Sequence, residues 1–217
     1  MAGLFRYVAL GDSTGVGVGA ESGGGYPERL YHRLKQHGHP AGILNLAVSG
    51  ATTRDLLLGQ VQQVASKQPA LVTLGIGTND LWRLIPVGTF KSNLKLIADA
   101  LEKTGAQIVV SNLIDLAHAP VATMIETLLG IPRTAFQTRL DEFNDLLNQL
   151  ARRPRFTVVD LYGFSRAQLP RHPEYFSPDG FHPSAAGYEQ WAAQLWPQVE
   201  KVAQEWAAVQ PPAAAPS

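Results

Sequence analysis

Tyr7-Val8-Ala9-Leu10-Gly11-Asp12-Ser13-Thr14-Gly15 is the stretch on which the fold turns. Its first four residues form a short apolar run of the kind found in buried parallel strands. The glycine-flanked serine that follows satisfies Gly-x-Ser-x-Gly, a sharp strand exit that exposes a serine hydroxyl where a helix begins. Only one strand precedes it. In the α/β-hydrolase arrangement the same pattern appears after several strands have already built the sheet, so its early position argues for a different α/β architecture.

Working outward, four more apolar runs read as strands: Ile43-Leu44-Asn45-Leu46, Leu71-Val72-Thr73-Leu74-Gly75-Ile76, Ile108-Val109-Val110 and Phe156-Thr157-Val158-Val159. Segments of helical period separate them, marked by Tyr26, Leu30 and Leu34, by Phe90, Leu94, Ile97 and Leu101, and by Phe136, Leu140, Phe143, Leu147 and Leu150. A last helix is expected after Pro183, with Ser184 as N-cap and Tyr188, Trp191, Leu195, Val199, Val202 and Trp206 on one stripe. That stripe suits either the sheet or a partner, and packing on the sheet is the expectation. Pro197 should kink or restart the helix. This alternation implies a three-layer α/β/α sandwich on a five-stranded parallel sheet, with right-handed crossovers and ligands beyond the carboxyl ends of the strands.

The chain has 217 residues, and the expectation is one domain over residues 1–209 with a disordered Pro/Ala tail at 210–217. Lys plus Arg and Asp plus Glu balance at 18 each, so no net field draws the protein to nucleic acid or to anionic membrane. The basic run Arg152-Arg153-Pro154-Arg155 reads as a solvated cationic helix end. No apolar run approaches the roughly 20 residues of a membrane span. Without cysteine there is no disulfide, no thiolate nucleophile and no cysteine-based zinc site. The start, Met1-Ala2-Gly3-Leu4-Phe5-Arg6, leaves no room for a signal peptide, so the chain as written reads as cytoplasmic; a secreted protein lacking its leader would look the same.

Three further islands carry polar residues after strands. In Asp179-Gly180-Phe181-His182, a turn can bring i and i+3 together so that a carboxylate steadies an imidazole facing Ser13. A plain Asp-Gly turn leading into a helix is the competing interpretation. Asn79, in Gly77-Thr78-Asn79-Asp80, offers a side-chain amide above the sheet, or serves as a cap. Gly50 offers a backbone N–H with close access, or is a turn glycine. Jointly with the Ser13 N–H, these two would complete an oxyanion hole. A phosphate-cradling loop is disfavoured, because no Gly-Lys-Ser/Thr follows the glycines at 15, 17 and 19. Of the other histidines, His32, His37 and His39 read as surface or capping residues without metal spacing. His118 and His172 sit in loops with no acid to pair with.

Gly-Asp-Ser early, a glycine after strand two, Gly-x-Asn-Asp after strand three and Asp-x-x-His-Pro late resemble the SGNH hydrolases, also called GDSL esterases and lipases, from about Tyr7 to Trp206. The resemblance implies a flavodoxin-like fold with Ser13 as nucleophile, His182 as base and acid, Asp179 as its orienter, and Ser13, Gly50 and Asn79 as oxyanion donors. It leaves Asp12 outside the triad. Thr14 stands where the leucine of the family motif is usual, at a position where little effect is expected. The implied activity is hydrolysis of a small carboxylic ester with short to medium acyl chains through an acyl-enzyme, without cofactor or metal. The alternatives are a carbohydrate O-acetylesterase and a non-catalytic binding module. Trp82, Leu84, Ile85 and Met124 are expected to contact substrate, and the segment from Ala117 to Pro132 reads either as a lid or acyl wall or as a short buried helix.

Overall fold

The computed structural model describes residues 3–116 and 119–210, with backbone only at 124, 125, 128 and 129. Five strands, β1 (Phe5–Gly11), β2 (Ala41–Asn45), β3 (Leu71–Gly75), β4 (Gln107–Ser111) and β5 (Phe156–Val159), form one all-parallel sheet in the order β2-β1-β3-β4-β5. This is the flavodoxin-like doubly wound order, which places the ligand site near the carboxyl ends where the strand order reverses around β1 and β3.

Alternation of side chains along the strands builds two cores, because successive residues point to opposite faces. Tyr7 and Ala9 of β1, Leu71 of β3 and Val109 of β4 face the Tyr26–Gln36 and Ala185–Ala208 helices, through Leu30, Leu34, Tyr188, Leu195 and Val199. Val8, Leu10, Val72, Leu74, Ile108 and Val110 face the other layer, made by a helix over residues 53–67 and by the Val87–Glu102 and Arg133–Asn148 helices. Burying each such side chain contributes about 1.5–3 kcal/mol. Within the first layer Tyr7 Oη and Thr73 Oγ1 bond each other at 2.8 Å.

Several sequence expectations are corrected. The Ala185–Ala208 helix runs unbroken through Pro197 instead of restarting. Pro197 lies on the exposed side, where water can solvate the carbonyl it frees, while Leu195 and Val199 anchor the helix on either side of it. The Ser184 cap is present, its hydroxyl accepting from the Gly187 N–H. Helices at residues 53–67 and Leu161–Gln168 had no expectation attached to them. Between Ala117 and Pro132, residues Val121–Leu129 are helical, with Val121 and Ala122 buried. Arg153 is no solvated cation: it forms ion pairs with Asp99 and with Glu102, the latter at 2.7 Å, tying β5 to the Val87–Glu102 helix. Among the described residues no helix is long and apolar enough to cross a membrane. The expected disordered tail falls, from residue 211 on, outside the described residues, as does His118.

Candidate active site

The exit of β1 is built around close approach. Gly11 lies in register with Gly75 of β3, and a Cβ at position 11 would fall 2.5 Å from the Gly75 carbonyl oxygen. Gln60 holds the same residue from the side, its amide accepting from Gly11 N–H at 2.9 Å and donating to Gly11 O at 2.8 Å. Gln60 is buried and ends a π-helical turn, Leu56–Gln60, inside the 53–67 helix; such inserted turns recur at functional sites. Asp12 then caps the short Ser13–Val16 helix, accepting from the Thr14 N–H at 3.0 Å and from the Thr14 hydroxyl at 2.8 Å. Burial pushes the Asp12 carboxyl up, and the two Thr14 donors oppose that rise. Threonine at this position therefore supplies a second donor to the buried carboxylate, a contact leucine could not make. Gly15 is required by space, since a Cβ there would meet Ala47 Cβ at 2.5 Å.

The loop between Tyr175 and Ser184 carries the other two residues. An antiparallel bridge between Phe176 and Pro183, and a Ser177 N–H to His182 O bond of 2.8 Å, close the loop on itself. Inside it Asp179 Oδ1 accepts from the Ser177 hydroxyl and from the Phe181 and His182 N–H groups, each at 2.8 Å. Asp179 Oδ2 pairs with His182 Nδ1 at 2.6 Å, and His182 Nε2 lies 3.0 Å from Ser13 Oγ. The three side chains thus form one hydrogen-bonded line across 169 residues of chain. The Phe181 ring meets the imidazole edge-on at 4.8 Å, and Trp82 packs behind Phe181 at 5.5 Å.

Burial of Asp179 opposes its ionisation, but the imidazole and the three donors outweigh that penalty and hold the carboxyl well below the usual carboxylate range. A depressed folded-state pKa stabilises the fold above the unfolded value, near about 3.9, and the contribution disappears as pH falls from there toward the folded value. Asp179→Asn should therefore melt below wild type from neutral pH down to about pH 4, with the gap closing on further acidification. The gap will be modest, because the carboxylate is 46% exposed and solvent screens it. Melting curves that stay parallel from pH 7 to pH 2.5 would contradict this account.

Residues 79–83 staple the two remaining islands together. Asn79 Nδ2 donates to Ala51 O at 3.0 Å, leaving its second amide hydrogen for another acceptor, and Arg83 donates to Gly50 O at 3.0 Å. Asp80, fully buried, accepts from the Thr53 N–H at 2.8 Å and the Thr53 hydroxyl at 2.5 Å, and Asn93 donates to that hydroxyl at 3.1 Å. Gly50 adopts φ 78°, a conformation in which a side chain is strained. Its loop reaches the nucleophile's strand through the Val48 N–H, which donates to Gly11 O at 3.1 Å.

The recess against Ser13 is lined by Thr14, Thr78, Ile114, Leu116, Phe181, His182, Pro183 and Trp191. Of the residues expected to contact substrate, Trp82 lies one ring away behind Phe181. Leu84 is exposed with φ 55°, and Ile85 is half-buried with its carbonyl held by Arg139. The side chain of Met124 lies outside the described residues. Ile114 and Leu116 follow β4, where the sequence offers only an apolar continuation of the strand, and Trp191 carries no signal beyond its place in a core stripe. His172, read as unpaired, bonds Glu174 at 2.8 Å and stacks on Tyr175, away from these residues.

An arylesterase of Vibrio mimicus is 25% identical over 190 residues, covering 88% of this chain and 85% of its own. Esterase TesA of Pseudomonas aeruginosa is 23% identical over 197 residues, covering 89% and 87%. The structure of a Clostridium thermocellum family 3 carbohydrate esterase superposes with a TM-score of 0.73 at 19% identity, covering 94% of this chain and all of that one, a likeness of fold. The model of the GDSL-like lipase/acylhydrolase family matches residues 9–190, and the chain belongs to that family.

Proposed function

We propose that the protein is a serine esterase that cleaves carboxylic esters of short to medium acyl chains by way of an acyl-enzyme. The single observation that carries this is the unbroken line from Asp179 through His182 to Ser13, at 2.6 and 3.0 Å. In this mechanism Ser13 Oγ attacks the ester carbonyl carbon while His182 Nε2 takes its proton. The carbonyl π electrons move onto oxygen, and the collapsing tetrahedral adduct expels the alcohol, which receives that proton. Water then repeats the sequence on the acyl-Ser13 ester and releases the acid. Asp179 stays ionised, holding Nδ1–H and offsetting the imidazolium charge. The developing oxyanion is assigned to the Ser13 and Gly50 N–H groups and to the free amide hydrogen of Asn79.

Asn79→Ala should leave a folded enzyme with kcat lowered about 10²–10³-fold, the usual effect of removing one oxyanion donor. Turnover at the wild-type rate would remove Asn79 from the mechanism. The proposal as a whole is tested by treating the wild-type protein with a fluorophosphonate and weighing it: one covalent adduct supports the esterase. A folded protein that neither labels nor cleaves any aryl or alkyl ester is instead a binding module on this scaffold. A second reading, O-acetylesterase action on a carbohydrate, is favoured by the narrowness of the recess beside Ser13, and acetylated sugars belong in the ester panel for that reason.

A further inference from the structure

Behind the Ser13 recess lies a second, apolar one, lined by Leu161, Phe164, Leu169, Tyr175 and Phe176 among others, and the two share Ile114, Pro183 and Trp191 as a common wall. With their open mouths counted, the first has a volume of about 290 Å³ and the second about 370 Å³. The recess beside Ser13 is the smaller of the two and suits a short acyl group, and the apolar space behind it would take further carbons if the wall between them were opened.

The wall is not uniform. Trp191 is stacked on Tyr26 at 5.3 Å with its plane only 4° from parallel, and it is buried in the Ala185–Ala208 helix, so it is fixed. Pro183 is locked by its ring and by the bridge to Phe176. Ile114 sits in the irregular segment after β4, partly buried, and touches both core layers at the end of the sheet. It is the one member of the wall whose side chain can be shortened without dismantling a helix or the Asp179/His182 loop.

We propose that the acyl group of the substrate enters the recess beside Ser13 and that Ile114 sets its length, closing off the apolar space behind. This rests on the esterase reading and narrows it to esters of short acids. The chemistry favours the acyl end over the alcohol for a closed site. The alcohol departs while the acyl group is still bonded to Ser13, so the alcohol needs the open side of the cleft and the acyl tail does not. The lining also fits: apart from the reacting residues and two threonines, it is hydrocarbon and aromatic, and one methylene gained or lost in such a pocket changes selectivity about 10–200-fold.

The experiment measures kcat/KM for p-nitrophenyl acetate, butyrate and octanoate with wild type, Ile114→Ala and Ile114→Phe, each normalised to serine titrated by fluorophosphonate so that unfolded protein does not count. Wild type should prefer acetate to butyrate and hardly cleave octanoate. Ile114→Ala should lower the acetate-to-butyrate ratio at least fivefold by joining the two spaces, and Ile114→Phe should raise it. A side chain needed only for packing would change all three esters alike. A ratio that moves less than fivefold in Ile114→Ala, or a wild type that cleaves octanoate as fast as acetate, overturns the assignment of Ile114 while leaving a titratable Ser13 and the esterase standing. Absence of both titration and hydrolysis in folded wild type would instead remove the esterase reading itself.

Discussion

Ser13→Ala is expected to lower ester hydrolysis on the order of 10⁶-fold, the scale seen when a serine hydrolase loses its nucleophile. It should also abolish the fluorophosphonate adduct and leave thermal stability nearly unchanged. The last part is what makes the experiment informative. The hydroxyl makes a bond to His182 Nε2 at 3.0 Å, whereas the backbone that presents it is held by other groups: Asp12 on Thr14, Asn45 on Gly15 O at 2.8 Å, and Gln60 on Gly11. Alanine fits the same helical start without new strain. A variant that keeps more than about a hundredth of wild-type turnover, at matched folding, would move the nucleophile elsewhere.

The second large effect is expected at a residue that touches no substrate. Asp80→Ala would leave the Thr53 N–H and hydroxyl without their acceptors in a fully buried place. Hydrogen bonds to a charged acceptor contribute about 1.5–3 kcal/mol each, so the loss should reach about 3 kcal/mol or more. In a chain of this length that corresponds to a fall in Tm of roughly 6–12 °C. Burial and the neighbouring Asp55 raise the Asp80 carboxyl, with the Thr53 donors opposing. Because the same bonds position the loop that carries Gly50, activity should fall even at temperatures where the variant remains folded. Asp80→Asn, which keeps the shape and one acceptor, should recover part of the stability. An Asp80→Ala protein that melts with wild type would show that Asn79 and Arg83 suffice to hold the two loops.

Much of this architecture is legible in the linear chain, because the informative signals are local. A strand that must be buried on both faces spells a short apolar run, and Ser13, Gly50 and Asn79 each sit within a few positions of such a run's end. Ser13 and Asn79 could be found on that basis and His182 by the Asp-x-x-His turn ahead of the last helix, and the resemblance of four separated blocks to one family tied them together. The parts that stayed hidden are those where a side chain acts across the fold. Gln60 reads as one more polar residue in Leu57-Leu58-Gly59-Gln60, and the π turn around it shifts the apolar phase, which is why no helix could be read over 53–67. Trp191 satisfies the helical stripe and lines the cleft at the same time, and periodicity registers only the first. Arg153 looks solvated until Asp99 and Glu102 are brought beside it, whereas the Glu174 partner of His172 stands two residues along and is overlooked.

The π turn also has a bearing on how this lineage can vary. It adds one residue to a helix that would otherwise advance about 100° per residue, and Gln60, at the end of that turn, reaches Gly11. Deleting any single residue between 56 and 60 would swing the amide about a quarter of the way round the axis and leave the floor beneath the serine unbraced. Substitutions in this segment can be absorbed one at a time, whereas a change in its length cannot, so descendants of this enzyme should drift in spelling there and keep the reading frame of the coil intact.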